Sequence, residues 1–182
     1  PVPPGAERAA GGDPVVDDLV VNCRPDQRDA IAAALSGLPL SVRWALDAET
    51  DRGPMAGIGN ACRVAPGEFA FVVACDTPFV DPAFVEALFA DAADADADAA
   101  IPRLSDRWLQ TTHAVYRADA MAAACERALD RGDRKVLAAV EALSVVRVDE
   151  ATIREHTTEH TFTNVNTREE LADAETYLAE HI

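Results

Sequence analysis

Residues 68–95, EFAFVVACDTPFVDPAFVEALFADAADA, decide the fold class. From Glu68 to Cys75 the chain passes without a break through Phe69, Ala70, Phe71, Val72, Val73 and Ala74. That length and composition suit a strand covered on both faces, as strands in parallel sheets are. Asp76-Thr77-Pro78 then interrupts the run. From Asp81 to Ala95 apolar residues recur at helical spacing, with Phe84, Val85, Leu88 and Phe89 on one face. Pro82 falls in the first turn, where its missing N–H costs nothing. An acid is thus placed where a buried strand gives way to a loop leading into a helix.

Outward from this stretch the same alternation continues. Val15 to Asn22 reads as a strand, Pro25 to Leu35 as an Ala-rich helix, Leu40 to Leu46 as a half-buried strand, and Met55 to Val64 as a short helix. Beyond it, Ala99–Arg103 and Thr112–Tyr116 are expected strands, followed by helices over Asp119–Arg131 and Arg134–Ala142. Val145–Val148 and His160–Phe162 read as short strands, and Thr167–His181 as a closing helix with Leu171, Ala174 and Leu178 inward. Strands alternating with helices predict an α/β domain with a mostly parallel sheet and ligands at the carboxyl ends of its strands. Residues 1–14, rich in Pro and Gly and without apolar period, are expected to be irregular, and no linker divides the 182 residues into two domains.

Charge narrows the partners. A formal net charge of -16 repels a phosphate backbone and argues against nucleic acid. Lys135 is the only lysine and Asp outnumbers Glu. That bias favours a heavily hydrated, salt-tolerant surface and a halophilic, cytoplasmic source, with the codon bias of a GC-rich genome as the alternative reading. No run approaches the roughly 18 apolar residues that span a bilayer. Cys23, Cys62, Cys75 and Cys125 are too far apart for a Cys-x-x-Cys clip and are expected as buried, reduced thiols.

Several segments carry candidate chemistry. Asp76 is suited to hold a divalent cation against a substrate phosphate, since Mg2+ takes hard oxygen ligands and retains water, or alternatively to cap its own turn. Asn164-Val165-Asn166-Thr167 presents two amides on one side of an extended segment, while Thr167 and Glu170 form a capping box for the last helix. Asn22 offers donor and acceptor to a base edge, Asp47 offers an acceptor to guanine, and both also suit local turns. Gly53 and Gly57 allow close backbone approach or a tight helix entry. Gln110, Thr111, Thr112 and His113 form a polar stripe compatible with a pterin or its phosphate, though a lone His is often structural. Gly132-Asp133-Arg134-Lys135 places two cations together in an acidic chain, to meet an anionic substrate or to balance neighbouring acids.

In this order, the segments ending at Asn22, Asp47 with Gly53–Gly57, Cys75–Pro78, Gln110–His113 and Asn164–Thr167 resemble the molybdenum cofactor guanylyltransferases, which attach GMP from GTP to molybdopterin. The likeness covers about residue 15 to the end, and Phe162 to Leu171 is its most specific part. It implies a Rossmann-like nucleotidyltransferase fold of the nucleotide-diphospho-sugar transferase type, with GTP and Mg2+ at the strand ends. Molybdopterin would attack the α-phosphate and release pyrophosphate. By motif, Asn22, Asp47 and Gly53 correspond to nucleotide contacts, Asp76 to the magnesium ligand that also touches GTP, and Asn164 and Asn166 to catalytic amides. Gln110 and His113 correspond to acceptor contacts. Molybdoenzymes or cofactor-insertion proteins are the implied downstream partners. The family's Gly-rich phosphate loop has no counterpart here, because Ala10-Gly11-Gly12 follows no strand and precedes no matching basic residues. A further N-terminal βα unit is therefore expected in the native product, with weak or no GTP turnover by the 182 residues alone. The competing readings are a related nucleotidyltransferase with another phosphorylated acceptor and a non-catalytic remnant that binds nucleotide or a partner.

Overall fold

A computed structural model describes residues 15–48, 52–105 and 108–181. Among these residues six strands and seven α-helices follow in chain order: β1 Asp18–Cys23, α1 Arg28–Ala34, β2 Ser41–Leu46, α2 Pro54–Val64, β3 Phe69–Val73, α3 Pro82–Asp94, β4 Ala99–Pro102, β5 His113–Arg117, α4 Ala118–Asp130, α5 Val136–Val140, β6 Val145–Val148, α6 Glu150–His156 and α7 Arg168–His181. The irregular segment expected over residues 1–14 lies outside the described residues.

The architecture is the expected α/β one, with helices flanking parallel strand pairs, and the strands fall into two sheets. β1 and β2 pair in parallel, from Asp18 opposite Ser41 to Cys23 opposite Leu46. The second sheet has the order β3-β5-β4-β6. β4 and β6 are parallel, whereas β5 runs antiparallel to both β3 and β4. This reversal sets the start of β5 beside the ends of β3, β4 and β6, so four chain segments meet at one rim. β5 is deeply buried: His113, Ala114, Val115 and Tyr116 are all buried, because it has neighbours on both edges and helices on both faces.

The two faces of this sheet carry separate clusters. Met55, Ile58, Ala99, Ile101, Tyr116, Met121, Cys125 and Val140 pack on one, where α2 lies against α4. Phe84, Leu88, Ala100, Val115 and Ile153 pack on the other, beneath α3 and α6. Full burial of Phe84 and Leu88 is worth roughly 1.5–3 kcal/mol each relative to exposure. α3 forms as its sequence dictates, with the Asp81 carboxylate accepting from the Ala83 N–H at 3.0 Å and Pro82 in the first turn.

Four expectations are corrected. His160–Phe162 forms part of a 3₁₀ turn, Glu159–Phe162, because the Thr158 and His160 carbonyls capture N–H groups three residues on. α6 adds a helix that was not expected, started by Asp149 accepting from the Thr152 N–H at 3.0 Å. Cys75 is exposed, because β3 ends at Val73 and leaves it in the loop, while Cys23, Cys62 and Cys125 are buried. On α7 Ala174 packs inward, yet Leu171 remains 49% exposed because only a narrow stripe of that helix meets the body.

Candidate active site

At the end of β3 the chain turns sharply. The Ala74 N–H donates to the Thr112 carbonyl at 3.2 Å, and the Thr77 N–H returns to the Ala74 carbonyl at 3.2 Å. Asp76 is held between these bonds at the rim. Its own carbonyl accepts from the Val165 N–H at 2.7 Å, and its Oδ2 accepts from Asn164 Nδ2 at 3.2 Å. The remaining oxygen, Oδ1, is enclosed and has no protein partner. An enclosed carboxylate oxygen without a donor is costly unless something fills the place.

The Asn164–Asn166 segment is fixed from the other side by the cap of α7. Glu170 Oε2 accepts from the Asn166 and Thr167 N–H groups at 2.6 and 2.9 Å, and the Glu170 N–H returns to Thr167 Oγ1 at 3.1 Å. Those backbone donors, Asn166 first, hold the Glu170 carboxyl below its ordinary range. Asn166 thus contributes its backbone to the cap, and its side chain is exposed.

An aromatic clamp joins the two segments. Phe79, three residues beyond Asp76, lies on the His160 ring with centroids 3.9 Å apart, and Tyr177 of α7 meets both rings at 5.4 and 4.7 Å. The signal in the sequence was the aromatic residue directly after Asp76-Thr77-Pro78, and its two partners are too distant in the chain to infer.

His113 and Gln110 take different places. Gln110 forms the turn into β5, its N–H donating to the Pro102 carbonyl at 2.8 Å and its carbonyl accepting from the His113 N–H at 3.0 Å. His113 itself is only 3% exposed. Its ring sits among Phe71, Phe84 and Phe162, with centroids at 5.0, 6.2 and 4.9 Å, and neither ring nitrogen has a protein partner. Burial pushes its pKa down to about 4, so the ring is neutral near pH 7. The side chain forms the floor beneath the rim and does not stand on it. Further along the rim a depression of about 360 Å³ is lined by Arg103, Leu104, Ser105, Asp149 and Glu150, adding an arginine that the sequence had not singled out.

The second group stands at the ends of β1 and β2. Asn22 Nδ2 donates to the Ala45 carbonyl at 2.8 Å and to Asp47 Oδ1 at 2.7 Å. The Asp47 N–H in turn donates to the Cys23 carbonyl at 3.0 Å. α2 is fastened to the same strand end by Asn60, whose Nδ2 donates to the Leu46 carbonyl at 2.9 Å. Gly53 precedes α2 with φ 77°, a conformation that favours glycine, and lies against the Arg134 backbone. The basic turn at Arg134–Lys135 therefore adjoins the start of α2. The structure brings Asn22, Asp47 and Gly57 into one group and Asp76 and Asn164 into another, while Asn166 is bonded through its backbone to Glu170.

Among the described residues no group of three or more His, Cys, Asp or Glu side chains could hold a metal ion by itself. The donor set at the rim suits a hard cation that keeps water and leans on substrate: one carboxylate with an unpartnered oxygen, beside a neutral amide.

The profile of the MobA-like NTP transferase domain matches residues 8–167. The chain belongs to that family. Residues 8–14 of the match lie outside the described residues, and the rest spans both groups just described. The chain is 42% identical over 160 residues to a probable molybdenum cofactor guanylyltransferase of Natronomonas pharaonis, covering 88% of this chain and 77% of that protein. A Haloferax mediterranei protein of the same name is 35% identical, with 90% and 75% covered. Among solved structures, molybdopterin-guanine dinucleotide biosynthesis protein A from Archaeoglobus fulgidus superposes with a TM-score of 0.69 at 31% identity, over 88% of this chain and 78% of that one. The 4-diphosphocytidyl-2C-methyl-D-erythritol synthase of Anaerococcus prevotii shares the fold at 16% identity and a TM-score of 0.62, with 90% and 82% covered. No helix among the described residues is long and apolar enough to cross a membrane.

Proposed function

We propose that the chain transfers GMP from GTP to molybdopterin, giving molybdopterin guanine dinucleotide and pyrophosphate. The names of its family relatives point to this reaction, and one observation in the site carries it: Asp76 presents an enclosed, unpartnered oxygen just beyond the carboxyl end of the half-buried edge strand β3, braced by Asn164. Such an oxygen is preorganised to meet positive charge, and charge fixed in advance where phosphate charge develops commonly contributes more to catalysis than any other single effect.

Asp76 would hold Mg2+ here, with Asn164 and Asn166 near the phosphates as neutral groups that add no further negative charge. When bound, the cation neutralises phosphate oxygens and favours pyrophosphate as leaving group. Asn164 orients the Asp76 carboxylate through its 3.2 Å bond, and the α7 cap holds the amides in register. Asp47 faces the guanine, accepting from its N1–H and exocyclic amine. Gln110 at the turn into β5 lies on the acceptor side, and His113 supports it from below as a neutral ring. An acceptor phosphate oxygen attacks the α-phosphorus, the bond to the bridging β-phosphate oxygen breaks, and pyrophosphate leaves with that electron pair.

Calorimetry of GTP binding with and without Mg2+, on the wild type and Asp76→Ala, tests the assignment. The wild type is expected to bind GTP at least tenfold more tightly with Mg2+, and Asp76→Ala to lose that gain, as removal of a buried charge partner predicts. Equal Mg2+ dependence in both proteins would remove Asp76 from the role.

A further inference from the structure

Resting on the assignment of Asp47 to guanine, we propose that Asn22 does not read the base itself but aims Asp47 at it, and that the bare backbone of Gly57 is what permits this. Asn22 and Gly57 are then positioning residues that set base selectivity.

A side-chain amide has two N–H donors and one carbonyl acceptor. In Asn22 both donors are taken, by the Ala45 carbonyl at 2.8 Å and by Asp47 Oδ1 at 2.7 Å. The orientation of the amide is fixed by its surroundings, because both neighbours are acceptors and the reversed amide would set oxygen against oxygen. The remaining group, Oδ1, is pressed against α2. A Cβ built on Gly57 would lie 2.3 Å from it and 3.1 Å from Cγ. Real contacts of that kind do not occur, so any other residue at position 57 displaces the amide. With its donors consumed, Asn22 has no N–H left to give a ligand, and its remaining oxygen lies against the backbone of α2.

The bond it makes has a different use. The Asp47 main chain is held by the Cys23 carbonyl and its carboxylate is restrained at Oδ1 by Asn22. Oδ2 and the spare lone pair of Oδ1 remain for two parallel donors. Guanine offers such a pair on adjacent nitrogens, hypoxanthine offers only N1–H, and adenine places an acceptor at N1. A carboxylate left to rotate would still attract either purine through a single bond and would lose the two-point match. Gly57 therefore matters by admitting a neighbouring side chain, where the sequence had suggested close approach of a ligand.

The test measures dissociation constants of GTP and of ITP, the hypoxanthine nucleotide, with Mg2+ present. The proteins are wild type, Gly57→Ala, Asn22→Ala, Asp47→Asn and the double variant Asn22→Ala with Asp47→Asn, each checked for fold by circular dichroism. Wild type is expected to favour GTP over ITP by roughly tenfold or more, as loss of one partner of a buried charged hydrogen bond implies. Gly57→Ala and Asn22→Ala are expected to bring that ratio to within about threefold of one. Adding Asn22→Ala to Asp47→Asn is expected to change it by less than about twofold, since groups acting in series are not additive. Should Gly57→Ala fail to fold, Asn22→Ala carries the test alone, because it only removes atoms. If Asp47→Asn loses discrimination while Gly57→Ala and Asn22→Ala keep it, the positioning role is overturned and the assignment of Asp47 stands. If wild type and Asp47→Asn treat GTP and ITP alike, the assignment of Asp47 itself falls, and the positioning role with it.

Discussion

Substituting His113→Phe is expected to make the protein less sensitive to acid. The imidazole is enclosed by Phe71, Phe84 and Phe162 and has no protein partner at either nitrogen, so the folded state disfavours its charged form. Its pKa is about 4 in the fold against an ordinary value of 6.5. The unfolded chain therefore binds the proton more readily, and stability falls as the solution is acidified. The contribution is fully present above pH 6.5, declines as the pH drops below that value, and is exhausted near pH 4. From near neutrality to about pH 5 the ratio of the two protonation factors amounts to about 2 kcal/mol. A phenyl ring fills the same box and carries no proton, and the carboxylates that titrate in both proteins cancel in the comparison. Urea unfolding of the two proteins at both pH values measures the effect. The difference between them is expected to move by about 2 kcal/mol in favour of the variant on acidification. Parallel pH profiles would show that the His113 ring finds a partner or solvent in the folded state, and would refute this origin of acid sensitivity.

Two further outcomes follow from the rim. Phe79→Ala removes the ring on which His160 and Tyr177 rest, two aromatic contacts worth about 0.5–1.5 kcal/mol each beyond area, so hydrogen exchange in α7 and residues 159–166 is expected to quicken at least fivefold while β5 remains protected; unchanged exchange in α7 would show that the clamp does not hold that helix. Thr167→Ala takes away the side-chain oxygen that accepts from the Glu170 N–H and is expected to cost about 1 kcal/mol in thermal unfolding, with a measurable loss of Mg2+-dependent GTP affinity as the Asn164–Asn166 segment loosens.

How far the sequence could be followed depended on whether local or distant contacts set each element. The helix opened by Asp81-Pro82 follows from apolar period and cap chemistry and formed where expected, whereas the run from Phe69 to Val73 is a strand but an antiparallel edge strand with Val73 exposed, and is not the doubly covered parallel strand its composition suggested. So did the Thr167–Glu170 box, whose partners are three residues apart. The segment His160–Phe162 has strand-like composition, but stacking of His160 on Phe79, a contact across some eighty residues, accompanies a tight turn. Orientation was the least legible property. Gln110 and His113 sit three residues apart on what reads as one polar stripe, yet the turn at Gln110 sends His113 into the core. The amide of Asn22 reads as a base contact until Gly57, thirty-five positions on, is seen against it.

The most direct measurement follows label from GTP carrying a marked α-phosphate, incubated with molybdopterin, Mg2+ and the protein. Label is expected to enter molybdopterin guanine dinucleotide in step with pyrophosphate release, and Asp76→Ala to reduce the rate by at least a hundredfold, the scale on which preorganised electrostatic groups act. Equal transfer from wild type and Asp76→Ala would contradict the role given to Asp76 and the reaction built on it.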